Sequence, residues 1–242
     1  MRILKCVGLA AALVSAPALA MVGETSPAPE LSKNLVMVLT REGGGAGFCT
    51  ASVLAANVIL TAAHCVTSLP NMRVHFGDTS SPPRLIEIAA VAVHPQFHAN
   101  AIASRERSVD LALIKLKTPL PAEFQPLEIG SGEIGLNMPL ELAGFGLTIE
   151  GSGRSAGKLL QGEVTLRAPL SNLLLWMEGK NVGTKNTGAC TGDSGGPVLQ
   201  NGALVGVITW TTGDAGHHCG KLTQAIRLAP QMGWIRNVMT AW

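Results

Sequence analysis

Tyrosine is absent from this 242-residue chain, aromatic residues make up 4% of it and charged residues 14%. The formal net charge is +2, and neither a run of like charges nor a basic stripe interleaved with aromatics occurs. Nucleic-acid readers carry such features, so nucleic acid is not expected as a partner. No apolar run approaches the roughly 20 residues that a bilayer-spanning helix needs, which excludes a membrane anchor. Internal repeats are missing, and the biased tracts are limited to the loops at Gly43 to Gly47 and Gly151 to Gly157.

What is present begins with a secretory signal. Residues 1–20 have a basic start (Arg2, Lys5), an apolar stretch from Cys6 to Val14, the helix breaker Pro17 and a small-residue ending, Ala18-Leu19-Ala20. Cleavage is expected before Met21, giving an extracytoplasmic product, secreted or periplasmic, with no membrane association afterwards. The residue directly after the cut is Met21 and not cysteine, so a lipoprotein is not expected. Cys6 leaves with the signal, and Cys49, Cys65, Cys190 and Cys219 remain. An even set in an oxidising compartment implies two disulfides, although four cysteines allow three pairings and the spacing selects none.

About 220 residues are left, enough for one large β fold or one domain of two sub-units. Gly23 to Lys33 is rich in Pro, Ser and Glu and reads as an irregular lead-in. Short strand-like segments then follow at Leu35 to Leu39, Ala51 to Leu54, Val58 to Thr61, Arg73 to Phe76, Leu85 to Val93 and Leu111 to Leu116. A second series runs through Leu140 to Phe145, Leu159 to Leu166, Leu173 to Trp176, Pro197 to Leu199, Ala203 to Trp210 and Leu222 to Ile226. Glycine, proline and asparagine clusters separate them, an all-β rhythm suited to barrels or a sandwich. The tail changes period: Met232, Ile235, Val238 and Met239 recur at three and four residues behind Pro230, which predicts a terminal helix.

The segment richest in chemistry is Gly192-Asp193-Ser194-Gly195-Gly196-Pro197. A nucleophilic serine needs open space at its hydroxyl and backbone N–H groups aimed at a developing oxyanion, and flanking glycines let the chain turn tightly enough to supply both. Thr61-Ala62-Ala63-His64-Cys65 supplies a candidate base behind a buried-type strand. Asp110 heads the apolar run Leu111 to Leu116, where an acid is partly buried and needs a partner.

In this order His64, Asp110 and Ser194, with their local strings, resemble the chymotrypsin and trypsin family of serine proteases. The resemblance runs from about Met21 to Trp242 and includes Ala143-Gly144-Phe145-Gly146, Thr209-Trp210 and Trp234-Ile235. It implies an all-β fold of two six-stranded antiparallel barrels, the first at about 34–120 and the second at about 135–228, with a C-terminal helix at about 230–242. Together these make one peptidase domain over residues 21–242. By the same resemblance, Cys49 pairs with Cys65 and Cys190 with Cys219. Ser194 attacks the scissile carbonyl, His64 moves the proton, Asp110 orients the imidazole, and the N–H groups of Gly192 and Ser194 bind the oxyanion. Activity is expected to rise with pH through a histidine's usual pKa of about 6.5.

Two further implications concern activation and specificity. In the family a freshly cut amine pairs with the aspartate before the serine, here Asp193. The start Met21-Val22-Gly23-Glu24 is similar to the family's aliphatic-Val-Gly-Gly, so signal removal itself would mature the enzyme; the alternative is that Met21 to Lys33 is a flexible leader. The trypsin-type aspartate six residues before the serine is replaced by Gly188, followed by Ala189, which argues against cleavage after Arg or Lys. Thr211 stands where glycine is frequent and narrows the pocket, with Thr209 and Trp210 beside it, so small or medium apolar residues are expected before the scissile bond.

Glu24 departs from the second glycine of the family's start, Thr209 from the serine behind the catalytic aspartate, and the missing tyrosines remove family packing residues. A metal site at His217, His218 and Cys219 competes with the disulfide reading, but adjacent ligands rarely face one centre. No acidic calcium loop is evident between Phe76 and Ile88, where Asp78 and Glu87 stand alone, and no metal or other cofactor is implied. The expected partners are a peptide or protein substrate and a protein inhibitor, and the expected state is a monomer. Two rival readings are a non-catalytic binding protein on the same scaffold and an esterase or transamidase with the same triad.

Overall fold

A computed structural model describes residues 21–77, 83–104, 106–131, 133–179, 181–182, 185–214 and 216–242, so the expected signal segment and Asp78 lie outside the described residues. The strands in chain order are β1 (Ser26–Pro27), β2 (Leu35–Glu42), β3 (Gly45–Ala55), β4 (Val58–Thr61), β5 (Met72–Phe76), β6 (Arg84–Ile86), β7 (Ile88–Val93) and β8 (Ala112–Leu116). The second series comprises β9 (Pro139–Gly144), β10 (Leu160–Arg167), β11 (Leu174–Gly179), β12 (Asn181–Val182), β13 (Lys185–Asn186), β14 (Pro197–Gln200), β15 (Ala203–Thr212) and β16 (Leu222–Arg227). Two helices join them, a single turn α1 (Ala101–Ser104) and the terminal α2 (Met232–Ala241).

Both series curl into antiparallel barrels. The first sheet has the order β6-β5-β2-β3-β4-β8-β7. Only Glu87 separates β6 from β7, so the two are halves of one strand whose front pairs with β5 and whose rear pairs with β8, closing six strands into a barrel. The second sheet runs β1-β10-β11-β16-β15-β14-β9, and the pairing of β9 with β10 closes it. These are the two barrels the resemblance implied. The lead-in is more ordered than its composition suggested, since β1 adds to β10 and a 3-10 turn over Pro29–Leu31 follows.

Side-chain alternation divides the core into three regions. Along β2, Val36 and Val38 point into the first barrel, while Leu35 and Met37 point into the layer between the barrels. Along β8, Ile114 and Leu116 face inward and Leu113 faces that same layer. From the other side Leu199, Leu204, Val207 and Ile226 meet them, whereas Leu140, Leu142, Val164 and Leu166 fill the second barrel. Each fully buried side chain of this kind stabilises the fold by about 1.5–3 kcal/mol relative to exposure. Strands that are apolar on both faces therefore weld the barrels together as well as filling them.

A 3-10 turn over Ala229–Gln231 contains Pro230, and the α-helix starts two residues beyond it. Ile235 is buried in the inter-barrel layer, and Trp234 lies edge-on to His94 of the first barrel with ring centres 4.8 Å apart. Lys115 Nζ donates to the terminal carbonyl of Trp242. The helix of the second half is thus fastened to the first.

Candidate active site

His64 and Asp110 are brought together by neighbouring strands of the first barrel. His64 lies in a 3-10 turn over Ala63–Cys65 just after β4, and the Cys49–Cys65 disulfide ties that turn to β3. Asp110 lies just ahead of β8, the partner of β4, between fully buried Val109 and Leu111. Its carboxylate accepts the backbone N–H of His64 at 2.9 Å and faces His64 Nδ1 at 2.6 Å. A carboxylate oxygen is an acceptor, so Nδ1 carries the hydrogen and Nε2 keeps a free lone pair. The aspartate side chain is 17% exposed and the imidazole 39%, so the carboxylate is the better shielded of the two.

Ser194 comes from the second barrel but is held by both. Its carbonyl accepts the N–H of Thr50 on β3 at 2.9 Å, and Gly195 N–H donates to Ile208 O on β15 at 2.7 Å. Thr50 Oγ1 also donates to Gly192 O at 2.9 Å. Gly195 has φ of 81°, and a Cβ there would lie 2.0 Å from Thr61 Oγ1 and 2.2 Å from Thr50 O. At Gly192, with φ of 95°, a Cβ would enter the Phe48 ring at 2.3 Å. Only glycine fits either position. The N–H groups of Cys190, Asp193, Gly195 and Gly196 are taken by protein acceptors. Those of Gly192 and Ser194 meet no acceptor among the described residues.

Asp193 points away from the cleft and is fully buried. It accepts the N–H of Gly146 at 2.8 Å and that of Cys190 at 2.9 Å. Burial pushes its pKa up to about 7 against the pull of those two bonds, and no cationic side chain among the described residues offsets the effect. Met21 is 1% exposed and belongs to the same buried cluster as Leu140, Leu142 and Ala189, and Val22 and Gly188 exchange backbone hydrogen bonds of 3.2 and 3.1 Å. The Met21 start is therefore built into the second barrel beside the serine loop.

A cleft of about 1220 Å³ runs between the barrels and is lined by His64, Asp110 and Ser194 together with Ala189, Trp210 and Thr211. Thr209 lines it as well, whereas Gly188 lies behind its floor, bonded to Val22 and packed on Gly220. Thr211 Oγ1 reaches Ala189 O at 3.0 Å and Leu222 O at 3.2 Å, so the side chain spans from wall to floor. Thr209 Oγ1 is 3.4 Å from Gln224 O and accepts from Gln224 Nε2 at 3.4 Å, a partnership the sequence did not suggest. Phe97, His98, Ala99 and Ala101 line the cleft too, as do Glu106 to Ser108, which no motif had signalled. Phe48 and Thr50 were missed too, because their roles come from packing against a loop over 140 residues away.

The four cysteines form Cys49–Cys65 and Cys190–Cys219, as the resemblance implied. This removes the sulfur from the His217, His218 and Cys219 alternative. Cys49, His64 and Cys65 also bring ligand atoms within 4.8 Å of one another, but both sulfurs are spent in the disulfide. No helix among the described residues is long and apolar enough to cross a membrane.

The family model described as Trypsin matches residues 22–235. Serine protease 1 of Canis lupus familiaris is 27% identical over 232 residues, covering 87% of each chain. Trypsin of Xenopus laevis is 30% identical over 204 residues, covering 76% of this chain and 78% of its own. Among solved structures, neuropsin, a serine protease expressed in the limbic system of mouse brain, superposes with a TM-score of 0.72. It covers 90% of this chain and is 21% identical, a likeness of fold.

Proposed function

The chain belongs to the trypsin family of serine proteases and is a serine-type endopeptidase acting on peptides or proteins, and on that premise we propose how it does so. Ser194 is the nucleophile, His64 the general base and then acid, and Asp110 the group that fixes the imidazole tautomer and stabilises its charged form. The observation that carries this reading is the 2.6 Å contact of His64 Nδ1 with Asp110, which leaves Nε2 for the serine proton. Attack at the carbonyl carbon shifts charge to its oxygen, where the N–H groups of Gly192 and Ser194 receive it. Each such donor is worth about 3 kcal/mol in the transition state. Collapse expels the amine, which takes the proton from His64, and water repeats the sequence on the acyl-enzyme.

The cleft favours small or medium apolar residues before the scissile bond. Thr211 crosses the space a bulky side chain would need, and Ala189 and Gly188 bring no charge to the floor to attract Arg or Lys. Export through the signal at 1–20 frees the amine of Met21, which then pairs with Asp193 and completes the oxyanion site. Buried Met21 and the Val22–Gly188 bridge support that route.

The test is to expose the exported protein and a Ser194→Ala variant to a peptide library and a fluorophosphonate probe. Cleavage and labelling by the wild type alone, with small apolar residues preferred, is the expected result. Labelling at another residue, or cleavage that survives Ser194→Ala, refutes the assignment.

A further inference from the structure

One wall of the specificity pocket is built from a loop whose exposed tip faces a second loop. Beyond Thr212 the chain runs through Gly213, Asp214, Gly216, His217 and His218, mostly exposed, before the Cys190–Cys219 disulfide anchors it again. The base is secured by Lys221 N–H to Thr212 O at 2.8 Å, by Gly220 N–H to Ala189 O at 3.2 Å and by the ion pair of Lys221 Nζ with Asp214 at 2.6 Å. His217 N–H closes the turn onto Asp214 O at 2.8 Å. His218, at the tip, lines the substrate cleft.

A second loop reaches across to that tip. Glu150 Oε1 accepts the backbone N–H of His218 at 2.8 Å, and Glu150 Oε2 lies 3.4 Å from His217 Nδ1. Glu150 is 25% exposed although it sits on a surface loop, because the facing loop covers it. Its own position is fixed independently. Ser155 Oγ accepts the N–H groups of Thr148 and Ile149 at 3.2 and 3.1 Å and donates to Ser152 O at 2.7 Å. Leu147 is buried against Val22 and the Cys190–Cys219 bridge, and its N–H donates to Thr191 O at 2.8 Å. An arm fixed by these bonds thus carries a carboxylate to the tip of the pocket wall, beyond the contacts that hold its base.

We infer that Glu150 is a positioning residue for substrate selection, acting through His218: its carboxylate clasps the tip of the pocket wall and keeps the cleft narrow. This rests on the proposed function, because the wall matters only if the cleft receives the residue before the scissile bond. Contact with the reacting atoms is not involved, so the clasp acts on which substrates bind and leaves the rate of the bound small-residue substrate to the triad. Glu150→Ala removes the acceptor. Glu150→Gln keeps an oxygen for His218 N–H and loses only the charge.

The test compares both variants with wild type on matched peptides carrying Ala or Phe before the scissile bond, alongside hydrogen exchange at the His218 amide. For Glu150→Ala, KM for the Ala peptide rises about fivefold, kcat stays within about twofold, the Ala-over-Phe preference falls about fivefold, and the His218 amide exchanges faster. Glu150→Gln restores most of the preference and the slow exchange. The inference is overturned if Glu150→Ala leaves preference and exchange unchanged, or if Glu150→Gln is as impaired as Glu150→Ala. Should wild type cleave no peptide, the functional reading falls, and the exchange comparison still decides whether Glu150 holds the wall.

Discussion

Blocking the amine of Met21, by acetylation or by a single preceding glycine, leaves the buried Asp193 carboxylate without the cation proposed for it. Burial raises its pKa from 3.8 to about 7. In the folded protein it therefore holds a proton through a pH range where the unfolded chain has already released it. Between those two values the folded state binds more protons, so stability falls as pH rises, and the loss is complete above about 7. At 1.36 kcal/mol per pH unit the whole window amounts to about 4 kcal/mol, which sets the scale of what a paired amine recovers. Urea unfolding of the blocked and free forms from pH 4 to pH 8 compares the Asp193–amine pair, because apart from the α-amine itself, whose usual pKa is about 7.7–8.0, every titration is common to both. The two forms are expected to be equally stable near pH 4, with the free form pulling ahead by on the order of 4 kcal/mol near pH 7.5. Curves that stay parallel across the range would show that the amine never reaches Asp193.

Gly195→Ala places a methyl group 2.0 Å from Thr61 Oγ1 at a φ of 81°, and is expected to destabilise the protein by more than about 2 kcal/mol and abolish probe labelling of Ser194. A variant with full labelling and an unchanged urea midpoint would contradict the packing described. Thr211→Gly empties the span between wall and floor, so kcat/KM for Phe before the scissile bond should rise about tenfold or more relative to Ala. An unaltered ratio would place the selecting contact elsewhere. Burial beside Trp234 lowers the pKa of His94. Below about 6.5 the unfolded chain takes up this proton before the folded protein does, so stability falls as pH drops through that value. His94→Asn should flatten that acid limb in urea titrations, and an unchanged limb would assign it to another group.

The proposed triad could be picked out in the sequence because each candidate sits in a short local string: His64 after a buried strand, Asp110 before one, Ser194 in a glycine turn. The strands were legible where both faces are apolar, as in Val58–Thr61, which matches β4. They were truncated where one end is exposed and glycine-rich, so only Ala51 to Leu54 was seen of Gly45–Ala55. Two-residue β1 offers no period to read, and its order comes from docking on β10. Thr209 shows a subtler failure. An irregularity in the β15–β16 register between Ile208 and Trp210 leaves Thr209 without a Cα partner, and such a bulge re-aims a side chain in a way that residue order does not encode. Glu150 and His218 are 68 positions apart on loops without pattern, so their meeting is a product of the assembled fold alone.

The bond from Thr50 N–H to Ser194 O, joined by that from Thr50 Oγ1 to Gly192 O, means that neither half of the molecule owns the nucleophile loop. A ribosome delivers His64 and Asp110 first and Ser194 only near the end of the chain. Until that late segment arrives and docks on β3, His64 and Asp110 stand without the serine loop that the proposed chemistry requires.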